Sequence, residues 1–76
     1  MARPARTQPK IRLNLEMPEA TKESIDRLRE ATQADSATEV IRRALAVYDF
    51  LWSCKMSGET PLVRSQDGKE RELLLL

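Results

Sequence analysis

Lys10-Ile11-Arg12-Leu13-Asn14-Leu15-Glu16-Met17 decides the fold. Apolar residues fall at 11, 13, 15 and 17 and polar ones at 10, 12, 14 and 16, a period of two that reads as a β-strand. A strand places successive side chains on opposite faces, so Ile11, Leu13, Leu15 and Met17 face a core while Lys10, Arg12, Asn14 and Glu16 face outward. Pro18 ends the run. No partner strand lies within the stretch, and its unpaired N–H and C=O groups are expected to bond the same strand of a second chain, antiparallel about a two-fold axis.

Working outward, Pro18 is tolerated at the start of a helix and Glu19 complements its positive end. Thr21, Ile25, Leu28 and Thr32 keep helical spacing, which predicts a first helix over about 18–32. Lys22, Glu23, Asp26, Arg27, Arg29 and Glu30 fill its other faces as an ordinary solvated surface. The apolar stripe is thin, so docking rather than propensity must hold this helix. Thr32-Gln33-Ala34-Asp35 breaks the pattern, and Ser36-Ala37-Thr38-Glu39 has the spacing of a capping box. Val40, Ile41, Ala44, Leu45, Tyr48, Leu51 and Trp52 then form a wide stripe on a second helix ending near Cys54, which supplies most of the core.

Composition supports a dimer. The chain has 76 residues, one Cys and no His. A chain this short buries only roughly 60% of its unfolded surface and usually needs disulfides, a metal or a partner. Cys54 cannot form an intrachain disulfide, and no Cys/His cluster has zinc spacing, so a homodimer is expected and no metal or cofactor is. No segment approaches the ~18 consecutive apolar residues of a membrane helix. Met1-Ala2-Arg3-Pro4-Ala5-Arg6 is followed by no apolar stretch, so no secretory signal is expected, and with a lone thiol the expected location is the cytoplasm.

The formal net charge is +1, and its distribution says more than its value. Residues 1–12 hold Arg3, Arg6, Lys10 and Arg12 with no acid, while residues 13–76 hold nine basic and twelve acidic groups. With Pro4 and Pro9 opposing a helix, residues 1–9 read as a flexible basic arm suited to phosphates, or as a solubilising tail. Beyond the second helix, Ser57-Gly58 and Pro61 stop the chain from continuing as helix. Leu62-Val63-Arg64-Ser65-Gln66 and Lys69-Glu70-Arg71-Glu72-Leu73 flank Asp67-Gly68, a two-residue turn signal that predicts a C-terminal β-hairpin within residues 55–76. A hairpin alone is marginal in water, so docking on its own dimer, another dimer or another protein is expected, with Leu73–Leu76 as an adhesive end.

The order of strand, Pro, helix, turn and capped helix resembles the ribbon-helix-helix family of MetJ, Arc and CopG type. Its carriers are Lys10 to Met17, Pro18-Glu19, and Ser36-Ala37-Thr38-Glu39-Val40-Ile41-Arg42-Arg43-Ala44-Leu45, and the resemblance spans about residues 10–53. It implies a mainly α fold with a short N-terminal strand, an intertwined homodimer whose two strands form an antiparallel ribbon in the DNA major groove, and a domain over residues 10–54. The groove is about 12 Å wide, admits such a ribbon, and displays a distinct donor and acceptor pattern for each base pair. Matched to the family's strand, the base-reading positions are Arg12, Asn14 and Glu16, with Lys10 at the ribbon edge. Arg12 suits guanine O6 and N7, and Asn14 suits adenine N6 and N7. Glu16 departs from the neutral or basic residue usual there, and either accepts from cytosine N4 or orients an arginine such as Arg12. The family also sets the start of the second helix against a phosphate, which implies contacts from the Ala37 and Thr38 N–H groups and the Thr38 hydroxyl. Lys10 and, by the charge of the arm, Arg3 and Arg6 are expected to touch the DNA backbone as well. Read without the family, Ser36 and Thr38 are a cap and its neighbour. Arg42 and Arg43 fit a phosphate contact, a solvated face or an intersubunit salt bridge. The dimer core is expected to include Ile11, Leu13, Leu15, Ile25, Leu28, Val40, Ile41, Leu45 and Tyr48.

No histidine, Gly-rich phosphate loop or paired nucleophile and base stands in the chain, so enzyme activity is not expected. Two functions remain, and they are compatible. One is a sequence-specific repressor of a double-stranded operator, dimeric or of higher order on DNA. The other is an antitoxin or interaction module whose C-terminal extension binds a protein partner, with autoregulatory DNA binding.

Overall fold

The computed structural model describes residues 9–75. The order is α1 (Glu19–Thr32), α2 (Ala37–Met56), β1 (Leu62–Arg64) and β2 (Glu70–Glu72). The expected positions of Arg3 and Arg6 lie outside the described residues. Residues 9–18 take no regular element in the single chain, where a ladder would need a second backbone.

α1 begins after Pro18, whose extended backbone (φ −63, ψ 154) leaves its carbonyl to accept from Thr21 N at 3.0 Å and Lys22 N at 3.2 Å. It ends on Gln33 in the left-handed region (φ 56, ψ 36). Gln33 N bonds Glu30 O at 3.3 Å and Ala34 N bonds Arg29 O at 3.0 Å, a paired closure that satisfies two otherwise orphaned carbonyls. Two arginines brace this turn: Arg29 Nη2 donates to Asp35 O at 3.0 Å, and Arg43 Nη1 donates to Thr32 O at 3.4 Å.

α2 opens on Ser36, whose Oγ accepts from Glu39 N at 3.1 Å. Only this half of the expected capping box forms. The Glu39 carboxylate turns away from the Ser36 backbone because two arginines compete for it. The helix continues to Met56, two residues past Cys54, and closes where Glu59 N bonds Cys54 O at 2.9 Å and Gly58 N bonds Lys55 O at 3.1 Å. Gly58, at φ +84, supplies the left-handed residue that this closure requires.

β1 and β2 pair antiparallel, with Leu62 opposite Glu72, Val63 opposite Arg71 and Arg64 opposite Glu70. The connection differs from the expected two-residue turn at Asp67-Gly68. Ser65 N bonds Lys69 O at 2.8 Å, and Gly68 N returns to Ser65 O at 3.0 Å, leaving Gln66, Asp67 and Gly68 as a three-residue loop. Gly68, at φ +90, closes that loop as the positive-φ residue such turns favour. The Asp67 carboxylate accepts from the Ser65 hydroxyl and, at 3.2 Å, from Lys69 N; both bonds favour its charged form and lower its pKa.

The helices pack on each other and the strands on each other, and among the described elements no helix packs on a strand. Buried apolar residues of the single chain are Ala34 and Val40, at the α1–α2 junction. Ile25, Ile41, Leu51 and Cys54 are half-buried.

Candidate nucleic-acid interface

The candidate interface comprises residues 10–17 and the first turn of α2. Lys10, Arg12, Asn14 and Glu16 are all exposed. The apolar residues between them are exposed too, by 89% at Ile11, 74% at Leu13 and 54% at Leu15, and only Met17 is half-buried. Exposure therefore falls steadily toward Pro18 instead of alternating, because one chain offers nothing to cover either face. Among the described residues, Arg12 and Glu16 form no ion pair with each other within the chain.

In the first turn of α2, Glu39 N and Val40 N are occupied, by Ser36 Oγ at 3.1 Å and Ser36 O at 3.3 Å. Ala37 and Thr38 come before them, where a helix N-terminus leaves N–H groups without intrahelical partners, and Thr38 is exposed. Beside this turn lies a fork. Arg42 donates Nε to Glu39 Oε1 at 2.9 Å and Nη2 to Oε2 at 2.6 Å, and Arg43 donates Nε to the same Oε2 at 2.9 Å. Hydrogen bonds from Arg42 and then Arg43 hold the Glu39 carboxyl down from 4.5 to about 2, and the same contact raises the pKa of Arg42. One carboxylate thus fixes two guanidinium groups, leaving a local balance of +1 beside the helix end. Reading Glu39 only as a capping-box member misses this role, although the Glu39-x-x-Arg42-Arg43 spacing sets both arginines within one turn of the acid.

A second surface runs along α2. Leu45 and Tyr48 are 61% and 50% exposed, and with Arg42, Ala46, Asp49 and Trp52 they line an open groove. Leu28 on α1 is exposed as well. Of the residues expected in the dimer core, the single chain itself buries Val40, half-buries Ile25 and Ile41, and leaves Ile11, Leu13, Leu15, Leu28, Leu45 and Tyr48 in the open. Ala34, buried here, escapes the sequence reading because one alanine in a polar run has no periodicity.

The family model of the ribbon-helix-helix protein, copG family, matches residues 11–48, half of the chain. The match takes in the alternating segment, α1 and the first part of α2, and stops short of the sheet. No curated protein and no solved structure matches the chain.

Proposed function

Because the chain belongs to the copG family of ribbon-helix-helix proteins, which are generally DNA-binding transcription regulators that bind as dimers, we propose that it is a homodimeric repressor reading the major groove. Residues 10–17 of two chains pair into the ribbon, with Arg12 and Asn14 toward base edges and Glu16 either accepting from cytosine or orienting Arg12. Ala37 and Thr38 meet a phosphate through free N–H groups and the Thr38 hydroxyl, while Lys10 and the arm residues Arg3 and Arg6 add backbone contacts. The Glu39 fork sets Arg42 and Arg43 beside that phosphate.

One observation carries the reading: in a family-matched chain, Ile11, Leu13 and Leu15 stand uncovered, alternating in sequence with exposed Arg12, Asn14 and Glu16. Exposed apolar side chains cost free energy in water at roughly 25 cal/mol per Å², so a second chain covering them is favoured. Residues 55–76 fall outside the family match, and we assign them to assembly between chains.

Selection of duplexes from a random pool, run in parallel with wild type and Asn14→Ala at near-physiological salt, tests the reading, because salt suppresses purely electrostatic binding. A motif enriched by wild type and lost by the variant is expected. No motif from a folded dimer overturns it and shifts the function to a protein partner held by the extension.

A further inference from the structure

We propose that the outer edge of β1 pairs with the same edge of a second copy of this chain, antiparallel about a two-fold axis through Val63. The proposal names the contact behind the assembly role given to residues 55–76 and rests on that role.

The bonding pattern shows which groups are free. Ser65 N donates to Lys69 O at 2.8 Å and Leu73 N donates to Pro61 O at 3.0 Å, so both pairs are hydrogen-bonded rungs. Rungs alternate in an antiparallel ladder, which makes Val63–Arg71 the bonded rung between them. Leu62 and Arg64 therefore direct their N–H and C=O groups away from β2, and Glu70 and Glu72 direct theirs away from β1. All six strand residues are exposed, and among the described residues the sheet has only these two strands, so both outer edges are open.

Charge separates the two edges. Pairing β2 with its own copy sets Arg71 against Arg71, with Glu72 opposite a Glu70 whose charge Arg64 offsets; sliding the register to centre on Glu72 sets Glu72 against itself. Like charges directly opposite each other destabilise a sheet, and charged residues guard natural edges in this way. Pairing β1 with its copy sets Val63 against Val63 and Leu62 against Arg64. The Arg64 guanidinium is already held by its own Glu70, Nε at 2.9 Å and Nη2 at 2.6 Å from the same oxygen, so no uncompensated cation meets the rung. The four outward groups of Leu62 and Arg64 then meet their counterparts in two rungs of two bonds each. The result is a four-stranded sheet ordered β2-β1-β1-β2, which relieves the marginal stability of a two-stranded one.

Site-resolved amide exchange of the full chain without DNA tests the edge directly. The outward amides of Leu62 and Arg64 are expected to exchange at least roughly tenfold more slowly than those of Glu70 and Glu72, which point outward on the guarded edge. Equal, unprotected exchange at all four overturns the proposal. A second measurement fixes the register: in a Cys54→Ser background, Val63→Cys should cross-link two copies on mild oxidation, because a non-hydrogen-bonded pair brings Cα atoms to about 4.5 Å, within disulfide reach. Arg71→Cys should remain uncrosslinked. Cross-linking at 71, or none at 63, overturns the proposal. Neither readout involves DNA, so the duplex selection can fail while this contact stands, and the reverse.

Discussion

The Glu39 carboxylate takes both hydrogen bonds of the Arg42 fork, at 2.9 and 2.6 Å, while one of its oxygens also accepts from Arg43. The acid that the capping-box spacing assigns to the Ser36 backbone is thus committed to the helix surface. Since the folded-state pKa of about 2 lies below the ordinary 4.5, the fork contributes stability fully above about pH 4.5 and loses it as the pH falls toward 2. Melting curves of wild type and Glu39→Gln at one chain concentration should therefore differ by a constant amount at neutral pH and converge between pH 4.5 and 2. A difference unchanged across that window would show that the fork is not the cause.

Gln33 sits at φ 56 and ψ 36, a conformation that costs a residue with a side chain roughly 1–2 kcal/mol. Gln33→Gly removes that strain and leaves the two backbone bonds of the turn in place, at the cost of a freer unfolded chain. The balance is a gain of roughly 0.5–1 kcal/mol, seen as a higher melting temperature at fixed chain concentration. A lower one would mean that the glutamine side chain contributes something the backbone bonds do not.

The features legible in the sequence are those decided within a few residues. Ser36 caps α2 and Gly58 closes it because a hydroxyl three residues before Glu39 and a residue free to take positive φ are local requirements. Periodicity identifies Leu45 and Tyr48 as residues that seek burial, but it carries no information on which chain buries them, and the single chain leaves both at least half exposed. Glu39 shows a different limit. Two local rules claim the same carboxylate, the capping box and the acid-to-arginine spacing, and charge-assisted bonds from two guanidinium groups outweigh one backbone N–H. The turn at Asp67-Gly68 is legible in kind and not in length, because Ser65 and Lys69 bond each other and enlarge the loop by one residue.

Gly68 stands at φ +90 with nothing within 4 Å of where a Cβ would lie, so Gly68→Ala introduces backbone strain and no clash. The expected cost is roughly 1–2 kcal/mol, confined to the sheet because among the described elements no helix packs on it. Exchange of the Val63 and Arg71 amides should accelerate while α1 and α2 keep their protection. Loss of helix protection would reveal a coupling between sheet and helices.

Removing residues 1–9 deletes Arg3 and Arg6 from each chain. If these arginines neutralise phosphates, the slope of log affinity against log salt should fall by about 0.9 for each phosphate no longer neutralised, with the preferred motif unchanged. Titrations of one operator at several salt concentrations measure that slope. An unchanged slope makes the arm a solubilising tail.

A ribbon formed by residues 10–17 of two chains makes a demand on neighbouring backbone groups that side-chain substitutions cannot test. In an antiparallel pair the N–H groups of consecutive residues point alternately toward and away from the partner, so of Leu13 and Asn14 one donates across the two-fold. Proline at that position removes the donor and leaves a carbonyl of the other chain unpaired, at roughly 1–3 kcal/mol, and symmetry applies the loss twice. Leu13→Pro and Asn14→Pro should therefore weaken dimerisation unequally in sedimentation equilibrium, with the inward position abolishing it at micromolar concentration and the outward one retaining part of it. Stable dimers from both variants would mean that the chains associate through α1 and α2 alone, and the major-groove reading through Arg12 and Asn14 would lose its structural basis.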